Sequence, residues 1–245
     1  MNYTWSKAFT DFEGSQANFA GLLDLTLGDV KEKRRGVNDL THVFKANAGY
    51  ELPFGSGQRW LNNGFASKVF GGMKLTGIFV AQSGRPISFI SGRGTLNRVG
   101  RSGNNTANTN LTIEELQEIT GLFFDPTTGQ PLMFSPEVVN AVRTDPSFLR
   151  NQNPFFSNPT AGTLGNLQLT PVSGPGIWNL DMGFIKRTPI SETVNLEFRA
   201  EAFNIFNKTN FFLGALNQNI NSSTFGQITQ TYDPRILQFA LKLNF

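Results

Sequence analysis

The sequence predicts an all-β protein, an antiparallel transmembrane β-barrel segment of about six long strands in an up-and-down meander, with long extracellular loops and a short loop helix. Three observations lead there. Long stretches alternate apolar and polar residues with a period of two, the signature of strands with one greasy and one wet face. Only 16% of the 245 residues are charged, against roughly 25% in ordinary soluble domains, while Phe, Gly and Asn are plentiful. The intervals between the alternating stretches run long, short, long, short, long, which places every long connection on one side of an antiparallel sheet.

The elements follow in chain order. In NYTWSKAF, Tyr3, Trp5 and Phe9 oppose Asn2, Thr4, Ser6 and Ala8. Phe44, Ala46, Ala48, Tyr50 and Leu52 oppose Lys45, Asn47, Gly49 and Glu51. GMKLTGIFVAQ is less regular, because Ile78 and Val80 sit opposite Met73, Leu75, Phe79 and Ala81. Trp178, Leu180, Met182 and Phe184 oppose Asn179, Asp181 and Gly183, and Val194, Leu196, Phe198, Ala200 and Ala202 oppose Asn195, Glu197, Arg199 and Glu201. In the last stretch Leu237, Phe239, Leu241, Leu243 and Phe245 oppose Gln238, Ala240, Lys242 and Asn244. A strand of about 11 residues spans roughly 36 Å, and a tilt near 45° brings this to about 25 Å, the height of an outer-membrane barrel's apolar band.

Between the strands, residues 92–176 are crowded with Gly, Pro, Asn and Thr and read as a long extracellular loop region or a small subdomain. Within it LTIEELQEIT is a short helix, with Thr112 as N-cap and Glu115 completing a capping box. KEKRR, residues 31–35, reads as a solvated loop, and SGRGTLNRVG as a flexible one.

Catalytic chemistry finds little to stand on. There is no cysteine, so disulfides, thiolate metal sites and cysteine nucleophiles are excluded. The one histidine, His42, begins a strand and no G-x-S-x-G elbow accompanies it, so it reads as a rim residue. No metal or cofactor motif is present, and the chain is expected not to be an enzyme and to bind no nucleic acid. Glu197 and Glu201 share a strand face with Arg199 between them. A glycosidase pair is conceivable, but a general acid must hold its proton and a neighbouring guanidinium favours releasing it. The preferred reading is an ion-paired network lining a lumen or touching a plug.

The wet face therefore carries the candidate site. Lys45, Glu51, Lys74, Asp181, Arg187, Glu197, Arg199, Glu201 and Lys242 are expected to line a lumen, since an Arg or Lys facing lipid near the midplane costs about 2–4 kcal/mol. Tyr3, Trp5, Tyr50, Trp178 and Phe245 fall near strand ends, where an interfacial aromatic girdle would sit. No apolar run is long enough for a membrane helix, and MNYTWSKAFT lacks the features of a signal peptide. A chain of this kind enters a membrane as strands, with an export signal elsewhere.

As a set, YTWSK, YELPFGSGQRWLN, GGMKLTGIFVAQSGRPISF, NPTAGTLGNL, GPGIWNLDMGFIKR, NLEFRAEAFNIFNKTNF and STFGQITQTYDPRILQFALKLNF resemble the C-terminal barrel portion of TonB-dependent outer-membrane receptors of the Oar-like branch. The resemblance covers residues 3–245 and implies a Gram-negative outer-membrane location, a barrel of about 22 strands and energised uptake of a large solute. It implies as partners outer-membrane lipid, the barrel assembly machinery, which would read Phe245 as a terminal aromatic signal, and a periplasmic TonB-type coupling protein acting through an N-terminal plug. Plug, coupling box and most of the expected strands are not in this sequence, so residues 1–245 are expected to be the C-terminal part of such a barrel. Two other readings compete: a secreted soluble β-sandwich binding module, and a small complete outer-membrane barrel serving as adhesin or pore.

Overall fold

The alternating stretches become one sheet. The computed structural model describes residues 1–10, 33–95, 105–145 and 153–245. Its elements are β1 (Asn2–Trp5), β2 (Phe9–Thr10), β3 (Arg34–Arg35), β4 (His42–Glu51), α1 (Gly64–Phe70), β5 (Met73–Gln82), β6 (Pro86–Ile87), α2 (Ile113–Glu118), β7 (Thr120–Phe124), β8 (Pro131–Phe134), α3 (Pro136–Thr144), β9 (Val172–Ser173), β10 (Ile177–Pro189), β11 (Asn195–Phe203) and β12 (Ile236–Asn244). The main sheet has six strands in the order β1-β4-β5-β10-β11-β12. Every neighbour is antiparallel, so the sheet is an up-and-down meander with β1 and β12 as its edges.

Register decides which side chains share a face, because directly opposed residues in an antiparallel pair point the same way. Leu237, Phe239, Leu241 and Leu243 lie opposite Ala202, Ala200, Phe198 and Leu196. The same row assignments carry Met182 and Phe184 across β10, Leu75, Gly77, Phe79 and Ala81 across β5, and Phe44, Ala46, Ala48 and Tyr50 across β4. Tyr3 and Trp5 complete that face on β1. Its side chains meet little other protein: Phe239 is 67% and Leu241 69% exposed. A soluble sandwich would bury such a face against a second sheet of comparable size; here the other sheets among the described residues have two strands each.

The long connections fold together as a cap. Every buried apolar core residue among the described ones lies outside the six strands, in the segments 83–176 and 204–235. Phe89 packs on Phe134 and Phe156 at centroid distances of 5.0 and 4.8 Å, and Phe225 closes the group on Phe134 at 4.9 Å. α2 has the capping box expected of Thr112 and Glu115, with Leu116 buried beneath it. α3 starts on Ser135 with Pro136 in its first turn, a position where the missing N–H costs nothing. Its Val138, Val139 and Val142 form the face sunk in the core. Gly226 has φ of 76° and a Cβ there would press on Phe134 and Val139 at 3.0 Å, so the chain turns under α3 on a residue without a side chain.

Several expectations need correction. The first strand is shorter than NYTWSKAF: Phe9 leaves the main sheet to pair with Arg35 in the β2–β3 ladder. That ladder also overturns the solvated reading of KEKRR for its described part, since Arg34 is buried and Arg35 binds Asp39 at 3.0 Å; residues 31–32 lie outside the described set. Of the two readings of residues 92–176, the described part fits the small subdomain, since residues 105–145 hold two helices and the β7–β8 hairpin. Within it the asparagines act as backbone surrogates. Asn166 Oδ1 accepts from Thr109 N at 2.9 Å while its amide donates to Thr109 O at 2.7 Å, and Asn158 and Asn221 exchange amide hydrogen bonds at 2.9 and 2.8 Å. Buried irregular backbone has to find partners, and a short amide side chain offers a donor and an acceptor together. Of SGRGTLNRVG, residues 91–95 are described, with Ser91 buried, and the rest lies outside the described set.

Candidate functional site

The second face of the sheet gathers all nine polar residues singled out above. Register puts Lys45 of β4 opposite Asn2 and Val80, and Glu51 opposite Lys74. Gly183 lies between Thr76 and Glu201, Arg187 opposite Glu197, and Glu197 opposite Lys242. Arg199 faces Ile185, which in turn faces Lys74. Opposite signs thus meet across neighbouring strands at the end of the sheet nearer the short connections, Glu51 with Lys74, and Glu197 with Arg187 and Lys242. Cross-strand pairs of this kind each add a few tenths of a kcal/mol to about 1 kcal/mol.

Glu197 is the centre of this cluster. It is 4% exposed, and its two carboxylate oxygens accept separately from Arg187 Nε at 2.6 Å and Arg199 Nε at 2.5 Å. Arg187 reaches it from across the strand pair and Arg199 from two residues along the same strand, so β10 and β11 are tied through one side chain. Glu201, one row further on, has glycine on the adjacent strand. It lines a hollow of about 370 Å³ with Asn47, Gly49, Lys74, Thr76 and Asp181. The absence of side chains at Gly49 and Gly183 opens this hollow: a Cβ on Gly183 would come within 2.6 Å of Thr76 Oγ1.

Asp181 has a different task. Its Oδ1 accepts from Asn204 N at 2.8 Å and from Asn179 Nδ2 at 2.7 Å, which fixes the exit of β11 where Asn204 turns through φ of 51°. Asn204 then donates its amide to Lys208 O at 3.0 Å and accepts from Lys208 N at 2.9 Å. Under this turn lies a cavity of about 420 Å³, walled by Val80, Ile177, Phe203, Ile236, Tyr232 and Asp233. The apolar residues that disturb the alternation on the polar face, Val80, Ile177, Phe203 and Ile236, gather here beneath the cap. Sequence reading missed Tyr232 and Asp233, because only the return of residues 204–235 over the sheet brings them to it.

The strand ends behave as expected of rims. Tyr3, Phe44, Ala81 and Trp178 share a row near the long connections, Trp5 and His42 pair one row beyond it, and His42 Nδ1 lies 2.8 Å from the Tyr3 hydroxyl with the two rings stacked. Tyr50 marks the opposite end, and Phe245, beyond β12, is 97% exposed. One residue breaks the apolar face: Lys186 lies opposite Phe198 and Met73. Its ammonium donates to Lys68 O at 3.0 Å and to Gly71 O. An even-numbered lysine in an apolar row was the visible signal; what it binds was not. Among the described residues no group of His, Asp and Glu is arranged to hold a metal ion.

A six-stranded antiparallel wall with one unpartnered apolar face, one charged face and aromatic ends is the build of a membrane β-barrel wall. Comparison with known families agrees: the model of an outer membrane beta barrel domain matches residues 1–238. The chain belongs to that family, and its place is the outer membrane. This replaces the secreted soluble sandwich. No curated protein and no solved structure matches the chain.

Proposed function

We propose that the chain is part of the barrel wall and external cap of a TonB-dependent receptor, and takes part in the energised uptake of a large solute. The observation that carries the reading is the pair of edges without a partner strand among the described residues. β1 and β12 bound a six-stranded sheet, the smallest single-chain outer-membrane barrels need about eight strands, and unpaired strand edges in hydrocarbon leave backbone groups without partners. A wall that continues into further strands resolves this. The order of the family-like motifs and a folded cap above the long-connection end point the same way. In this reading the charged face looks into the lumen, with Lys45, Glu51, Lys74, Asp181, Arg187, Glu197, Arg199, Glu201 and Lys242 meeting water or a polar plug. The cap faces outward, and Phe245 is offered to the assembly machinery at the periplasmic rim. The chain carries wall and cap and performs no bond chemistry.

A test compares uptake of a panel of large solutes in the parent cells, in cells lacking this protein and in cells lacking the periplasmic coupling protein. A solute whose entry requires both supports the proposal. Entry that requires this protein yet survives collapse of the proton gradient identifies a passive pore instead. The small complete barrel is the second reading, favoured by a family match to an outer membrane beta barrel domain that runs from residue 1 to residue 238; it predicts such passive entry, or adhesion without any uptake.

A further inference from the structure

The connection between β4 and β5 contains α1, a helix that little in the chain itself supports. It has seven residues, no side-chain bond at its N-cap Asn63 and no buried residue. Helices this short are unstable in water on their own. Phe65 and Val69 lie one turn apart on the helix and Leu61 precedes its N-cap; all three are exposed, Phe65 to 83%. Trp60 and Phe70 flank them and are also exposed. Such a group is a poor surface to leave in water.

Two features tie the helix to the apolar side of the wall. Lys186, the lone cation on the apolar face, carries its ammonium from β10 to the carbonyls of Lys68 and Gly71 at the helix C-terminus, where a positive charge is favoured. Gly72, at φ of 65°, passes so close to Arg187 O that a Cβ would approach it to 2.3 Å, so the chain leaves the helix directly beneath the wall. The C-terminal end of the helix is therefore held against β10 by a side chain of the apolar face. Cations border the exposed apolar residues: Lys68 on the helix, and Arg59, which lies over the Trp60 ring at 5.4 Å.

We propose that residues 59–70 are an interfacial anchor, with the exposed Leu61, Phe65 and Val69 embedded in the periplasmic phospholipid leaflet and Arg59 and Lys68 at the headgroup phosphates. The anchor requires the outer-membrane location and is independent of the uptake reading. Because the chain has no cysteine, single Phe65→Cys and Val69→Cys variants of the full protein can carry a unique environment-sensitive fluorophore. They are reconstituted in vesicles of phosphatidylethanolamine and phosphatidylglycerol. The expected result is blue-shifted emission quenched by brominated acyl chains at both positions, as for a Leu241→Cys control on the lipid face. An Asn62→Cys label should stay red-shifted and open to aqueous iodide. Labels at 65 and 69 that iodide reaches as readily as at 62 would overturn the anchor. Labels shielded from both quenchers would also overturn it, since these residues would then be covered by protein. Heat-modifiable migration of each variant confirms that the wall has assembled.

Discussion

The wall and the cap use apolar residues in opposite ways. In the wall Leu237, Phe239, Leu241 and Leu243 turn away from the protein and are exposed, and none of the six strands contributes to the buried core. In the cap Phe89, Phe134, Phe156 and Phe225 stack on one another out of reach of solvent. The same residue type thus marks a lipid contact in one region and a globular core in the other. The difference comes from period. A two-residue alternation leaves one sheet face apolar with nothing of the chain to cover it, whereas the cap's irregular segments bring phenylalanines together from four separate stretches.

The two regions should therefore fail separately. The largest effect is expected for Phe134→Ala, which opens a cavity at the centre of the cap and should cost about 3–5 kcal/mol. Limited proteolysis of reconstituted protein should cut the cap while the strands remain membrane-inserted; loss of the inserted wall at the same time would mean that the regions fold as one. Next comes Leu241→Arg, which places a charge on the lipid face and should cost about 2–4 kcal/mol. Its neighbour Lys242→Leu changes only the polar face and should leave assembly nearly intact. Equal loss of heat-modifiable folded protein in both variants would remove the two-face assignment.

A smaller effect is expected at the polar cluster. Glu197 is enclosed but its partners Arg187 and Arg199 are 67% and 42% exposed, so solvent screens the pair. Glu197→Gln should lower stability slightly, read as the urea midpoint for unfolding from vesicles, and a double-mutant cycle with Arg187 should recover part of it.

The smallest effect lies in the cap's hairpin. The backbone N–H groups of Thr128 and Thr127 donate to Asp125 and hold its carboxyl below the usual range. Because the folded value is the lower one, the stabilisation is present above the unfolded value of about 4 and is lost as pH falls through the folded value. Hydrogen exchange at Thr127 and Thr128, corrected for intrinsic rates, should show protection falling over that window. Asp125→Asn should show no such change.

Much of the wall was legible because its information is local. Alternation assigns a face to each residue without knowledge of the partner strand, and the register of six strands then aligns these assignments without conflict. The site was legible in membership and not in arrangement. That Glu197 and Arg199 share a face follows from spacing; that Arg187 takes the second oxygen of Glu197 follows from a hairpin register. The end of β1 was misjudged because Phe9 fits the alternation as well as Tyr3 and Trp5 do, and only the approach of Arg35 draws it into another ladder.

By itself the sequence determined the strands, their two faces, the aromatic ends and the capping box of α2, all of which depend on residues within a turn or a strand of one another. The tertiary structure decided the rest. It joined Asn158 to Asn221, Arg35 to Ser173 and Lys186 to the end of α1. It also gathered core residues between Ile87 and Val172 and between Leu216 and Ile228 into one cap. The physical reason is that these contacts couple residues far apart in the chain, and neither a period nor a cap motif records which distant backbone group an amide, a guanidinium or an ammonium will meet.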